Sequence, residues 1–126
     1  MTVTSTYAAG LALFYIGLSC WVIHLRRVHR VGLGTGGQPK LKRAIRIHGN
    51  FAEYVPFCLL IMLFLESSQV DAHWIHALGA TLVIARIFHL WGLVHSSGTS
   101  IGRFLGTSLT FLVLFCGALG ILYHKA

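Results

Sequence analysis

Four stretches of this chain stay apolar for the thickness of a bilayer, and three short polar breaks, at 31–39, 67–71 and 96–102, separate them. Residues 7–25 and 104–123 contain no Asp, Glu, Lys or Arg. Each is long enough, as a helix, to cross a hydrocarbon core about 30 Å thick. Residues 46–65 and 73–94 have the same reach, but the first carries Arg46 and Glu53 and the second carries Arg86. An ionisable side chain within a span must face protein or an aqueous cavity, so these two read as spans with a functional inner face. The pattern predicts four transmembrane helices near 5–28, 41–66, 73–95 and 103–123. They make an all-α integral membrane four-helix bundle in a single domain, 1–126.

The breaks have distinct chemistry. Residues 31–39 hold Gly32, Gly34, Gly36 and Gly37 and end at Pro39, a turn-forming run that stops one helix before the next begins near Lys40. No Gly-Lys-Ser or Gly-Lys-Thr closes it, so it is not a phosphate loop. Pro56 lies inside the second helix, where it removes one amide donor and frees the carbonyl of Ala52. A kink shaping a cavity is expected one turn past Glu53. The first apolar segment is followed, not preceded, by cations (Arg26, Arg27), the reverse of a secretory leader, and is expected to stay in the mature protein.

Composition agrees with this reading: 56% of the 126 residues are hydrophobic and 10% charged, with mean hydropathy +0.74. Charge then sets an orientation. Arg26, Arg27, Arg30, Lys40, Lys42, Arg43 and Arg46 account for seven of the ten cations, while Glu66 and Asp71 flank the second connection. By the positive-inside rule the first and third connections are cytoplasmic and both termini lie on the opposite side of the membrane. Topology thus explains the net charge of +7, and no nucleic-acid partner is implied. Cys20, Cys58 and Cys116 fall in separate apolar segments and read as small core or lipid-facing residues.

The candidate chemistry centres on Arg46, Asn50 and Glu53, which share one face of the second helix at i, i+4 and i+7. So short a bundle has little interior in which to hide a polar stripe, which points to burial at a subunit interface. Arg86 and Arg103 converge by topology with Arg46 toward the cytoplasmic side. Guanidinium groups that bind carboxylates in bidentate fashion, with Glu53 to accept from an ammonium, suit a small zwitterionic peptide. For Arg103, snorkelling to lipid phosphates is the competing reading. His89 shares the Arg86 face and is read as a pocket residue, whereas His24 and His29 read as interfacial. His73 and His76, at i, i+3, read as interfacial residues beside Trp74 more than as metal ligands, so no metal site is assigned.

The pattern Arg46-x-x-x-Asn50-x-x-Glu53-Tyr54-x-Pro56, opening the second helix, resembles the signature of the membrane-associated proteins in eicosanoid and glutathione metabolism, the MAPEG family. The likeness continues through Arg86-Ile87-Phe88-His89 and Arg103, and the run 44–50 is most similar to small bacterial members. This resemblance implies a homotrimer of four-helix subunits binding glutathione as cosubstrate between neighbours near the cytoplasmic side. Arg46, Asn50 and Glu53 match positions that hold the tripeptide, with Tyr54 in the same signature. His48 and Arg86 match further pocket positions, and Arg103 matches the arginine that stabilises the glutathione thiolate. The implied activity is a membrane-bound glutathione-dependent transferase or peroxidase, with lipophilic substrates arriving from the lipid between helices one and four. One departure stands out: the family tyrosine one turn after His89 is Leu93.

Two other classes compete, the second more seriously than the first. A small multidrug exporter requires a glutamate midway along helix one, and that helix has no acid. A non-enzymatic member of the same family, a lipid-binding or scaffold trimer, is favoured by Leu93.

Overall fold

The computed structural model describes residues 2–95, 98 and 100–125. Four helices follow one another: α1 Val3–His29, α2 Pro39–Ser67, α3 Ala72–His95 and α4 Ile101–Lys125. All are long and apolar enough to span a bilayer, and the chain is an integral membrane protein. Their N-termini begin slightly before the apolar runs do, because polar residues outside the runs support the first turns. The Thr2 side chain accepts from the amide of Ser5, Asp71 accepts from the amide of His73, and Ser100 Oγ accepts from the amide of Arg103. Pro39 opens α2 as its first residue, where its missing N–H is one the helix does not use.

At the cation-rich end, α1 stops with Arg30 in the left-handed conformation (φ 54°), and the amide of Val31 bonds back to the carbonyl of Arg26 at 2.9 Å. The Arg26 guanidinium then holds the connecting loop by its carbonyls, with Gly34 at 3.0 Å and Val31 and Gly32 at 3.4 Å. At the opposite end the Glu66 carboxylate accepts from the amides of Val3 and Thr4, tying the end of α2 to the start of α1. Tyr7 reaches His76 Nδ1 there at 3.2 Å, adding α3 to the same corner.

Among the described residues α2 touches each of the other three helices, whereas α1 meets α2 and α3 but not α4. The core they share includes Leu11, Leu18, Phe51, Val55, Met62, Leu82 and Val113. Large apolar side chains also point outward from every helix, among them Leu13, Phe57, Trp91 and Phe104, the last 72% exposed. In water such a surface would aggregate; in a bilayer it matches its solvent. The α3–α4 contact is the tightest. A Cβ on Gly106 would lie 2.7 Å from the carbonyl oxygen of Ala85, and one on Gly102 would lie 2.9 Å from the Cα of Gly92. Glycine permits backbone approach at these positions, the usual way helices pack where lipid offers no hydrophobic drive.

Candidate functional site

Arg86 lies inside the bundle with 3% of its surface exposed. Its guanidinium donates to Asn50 Oδ1 at 2.8 Å, to Thr110 Oγ1, and to the carbonyl of Gly106 at 3.4 Å, so one side chain joins α2, α3 and α4. Thr110 can accept because its own hydroxyl hydrogen goes to the Gly106 carbonyl at 2.7 Å. Among the described residues every partner of Arg86 is neutral, and its Nε, although buried, has none. His89 is buried one turn further on, its backbone and Cβ against Gly106.

Above this node, at the cation-rich end, a cavity of about 470 Å³ opens between the first loop, α2, α3 and α4. Its walls are Thr35, Gly37, Gln38, Pro39, Lys42, Arg43, Arg46, Leu93 and Arg103. Arg103 is anchored at the mouth by donating from Nη1 to the carbonyl of Gly98 at 2.7 Å. Arg46 and Arg103 therefore meet around one space, as their positions in the sequence suggest. Arg86 does not line it, and the expected convergence of three arginines becomes two at the cavity and one buried among neutral partners.

The stripe on α2 divides in the same way. Arg46 Nη1 and Glu53 Oε1 pair at 3.4 Å, with side chains 59% and 54% exposed, whereas Asn50 is 7% exposed and turned to Arg86. Positions i, i+4 and i+7 span a modest arc, and here that arc straddles the edge between the bundle interior and its outer surface. His48 faces α1: its Nε2 lies 3.0 Å from Ser19 Oγ, and its ring stacks on Tyr15 at 4.6 Å between centroids. Tyr54 packs against Phe111 of α4 at 5.7 Å. The residues read as one pocket thus occupy three places: the cavity, the buried node, and the contacts of α2 with α1 and α4.

Some residues of this region were not singled out from the sequence. Thr110 was hidden in an apolar span, and the only clue to it was that a buried Arg86 needs acceptors from a neighbouring helix. Lys42 and Arg43, which in the sequence mark orientation, line the cavity. At the far end His73 is engaged with Asp71 at 2.8 Å and His76 with Tyr7. Pro56 stays within a continuous α2 and lines an apolar groove of about 350 Å³ with Ala8, Tyr15, Phe51 and Ala52.

Comparison with known proteins decides the family, since the family model matches residues 4–123, nearly the whole described bundle. The chain belongs to the MAPEG family. Among its relatives, the inner membrane protein YecN of Escherichia coli K12 is 39% identical over 93 residues, covering 74% of this chain and 71% of that protein. YecN of an Escherichia coli O6:H1 strain matches to the same extent. The match spans Arg46, Asn50, Glu53, Tyr54 and Pro56; of these Arg46 lines the cavity, whereas Asn50 is buried in the bundle.

Proposed function

We propose that this MAPEG protein is a glutathione-dependent transferase or peroxidase of the inner membrane, assembled as a homotrimer and acting on lipophilic electrophiles. The observation that carries this reading is the cavity where Arg46 and Arg103 meet, with Glu53 paired to Arg46 beside it. Glutathione presents two carboxylates, one ammonium and a thiol. The guanidinium groups suit the carboxylates and a thiolate, and Glu53 suits the ammonium. A thiol of ordinary pKa about 8.5 ionises more readily beside a cation, and the thiolate is the attacking species. Arg103 is the residue assigned to that role. Asn50 and Arg86, bonded to one another beneath the cavity, hold α2 and α3 in register for it.

Glu53 also supports the trimer. It follows Pro39 by 14 residues, about 21 Å along the helix axis and so within the hydrocarbon. A carboxylate half exposed at that depth is expensive in lipid and calls for cover by protein. Since α1 and α4 make no contact among the described residues of the subunit, a lateral portal between them would be formed by neighbouring copies. The name of the YecN relative supports placement in the inner membrane.

A second reading, a non-enzymatic lipid-binding trimer, is favoured by Leu93, whose apolar side chain forms part of the cavity wall and offers no hydroxyl to orient a sulfur. Calorimetric titration of glutathione into detergent-solubilised protein separates the two. The enzyme reading expects saturable binding, weakened by roughly 1 to 3 kcal/mol in Glu53→Gln, which loses a charged hydrogen bond. A folded oligomer that takes up no glutathione overturns it.

A further inference from the structure

The cavity holds more positive charge than a single tripeptide needs. Lys42, Arg43, Arg46 and Arg103 line it, and no acidic residue does. Among the described residues Arg46 alone of these four has a carboxylate partner, Glu53. Lys40 and Lys42 stand in the first turn of α2, which has no acid, and Gln38 provides no side-chain cap. Cations at a helix N-terminus oppose the helix dipole and raise the energy of the free protein. The positive-inside rule accounts for basic residues near this boundary, but not for their gathering around one space together with Arg103 of α4. Local rules of this kind are broken where function requires it.

The level of the cavity in the membrane narrows the ligand. With 29 residues α2 is about 43 Å long, well beyond a hydrocarbon core of about 30 Å. Its first turn, bearing Lys40 and Lys42, therefore projects into the layer of phosphate headgroups. Lys42 supplies a point charge and Arg43 a planar fork, complementary ways of engaging phosphate oxygens.

We propose that Lys42 and Arg43, with the loop wall at Thr35, Gly37 and Gln38, form a phosphate subsite that takes the headgroup of an anionic phospholipid. It lies beside the Arg46 and Arg103 part of the same cavity. The bound lipid neutralises the first turn of α2 and fixes the loop that forms one wall of the cavity. This subsite does not depend on glutathione binding.

The test uses full-length protein purified in detergent and exposed to equal amounts of phosphatidylglycerol and phosphatidylcholine, with retained lipid counted by native mass spectrometry. Juxtamembrane cations contribute about fivefold each to anionic-lipid affinity. Wild type should therefore prefer phosphatidylglycerol, and Lys42→Gln with Arg43→Gln should lower that preference by roughly 25-fold. Arg27→Gln, which removes an exposed cation from the same end but outside the cavity, should keep it. Equal retention of the two lipids by wild type, or an equal loss in Arg27→Gln, overturns the subsite. Stabilisation of the lipid-free protein by millimolar inorganic phosphate to the same thermal midpoint as phosphatidylglycerol, with no preference between lipids, overturns the lipid assignment in favour of a soluble phosphate. Glutathione is absent throughout, and its calorimetric binding to the same variants reports separately on the tripeptide reading.

Discussion

Arg86 of α3 donates to the side-chain oxygen of Asn50 on α2 at 2.8 Å, and both residues are closed off from the surface. Among the described residues this guanidinium has only neutral acceptors, so each acceptor matters more than an ordinary surface hydrogen bond. The arrangement makes Asn50 a structural partner of α3.

Replacing Asn50 by Leu removes an acceptor and leaves the charge in place, which should cost about 1 to 3 kcal/mol. Arg86→Met in the same protein removes the charge itself, and an apolar pair of similar volume should recover most of the loss. Thermal unfolding in detergent of the two single variants and the double variant forms the cycle. Strictly additive effects would show that the two side chains are not coupled.

Gly106→Ala tests the close approach of α3 and α4. The added methyl would lie 2.7 Å from the carbonyl oxygen of Ala85 and equally near His89, so the helices must separate, at about 1 to 3 kcal/mol. Because Arg103 stands one turn before Gly106 on α4, the shift should also weaken ligand binding at the cavity. An unfolding midpoint equal to that of wild type would mean the helices yield without strain.

Asp71 gives a pH dependence of known sign. The backbone amide of His73, and then its side chain, hold the Asp71 carboxyl below its ordinary value of 3.8. A depressed carboxylate stabilises the start of α3 fully above that ordinary value and loses its contribution as pH falls through the lowered one. Hydrogen exchange at residues 72–76 should accordingly show protection declining at acid pH in wild type. Asp71→Asn, which caps without titrating, should not show the decline; if it does, another group is responsible.

The four helices are readable because span length and freedom from charge are properties of consecutive residues, and in lipid an apolar run of about 20 residues satisfies its backbone groups within itself only as a helix. The polar stripe of Arg46, Asn50 and Glu53 is visible for the same reason. What a single segment does not encode is the rotation of one helix against another. Asn50 stands four residues from Arg46 and three from Glu53, yet the contact with α3 turns it inward while the other two stay outside. Thr110 and the contact of His48 with Ser19 depend likewise on helix pairing. The role of Lys42 and Arg43 in a cavity wall could not be separated, in sequence, from their effect on topology.

The charge distribution predicts an orientation that reporter fusions can check. With the first loop cytoplasmic, a phosphatase fused after Ala126 should be active and a fluorescent protein fused there should be dark. The opposite pair of results reverses the assignment and puts the cavity on the periplasmic face, where a cytoplasmic thiol has no direct access.

Arg103 carries the catalytic proposal. Its guanidinium is fixed at the cavity mouth through the Gly98 carbonyl at 2.7 Å, which leaves its remaining donors and its charge to act on a bound sulfur. A nearby cation favours the thiolate over the thiol. Wild-type protein saturated with glutathione should therefore show thiolate absorbance in the ultraviolet near neutral pH. Arg103→Ala should abolish the signal. Arg103→Lys should retain part of it, since the point charge survives while the planar fork is lost. Calorimetry on the same samples separates loss of binding from loss of ionisation. Glutathione bound without thiolate in wild type would remove the transferase mechanism and leave the non-enzymatic trimer, with Leu93 in the wall of its cavity, as the better account.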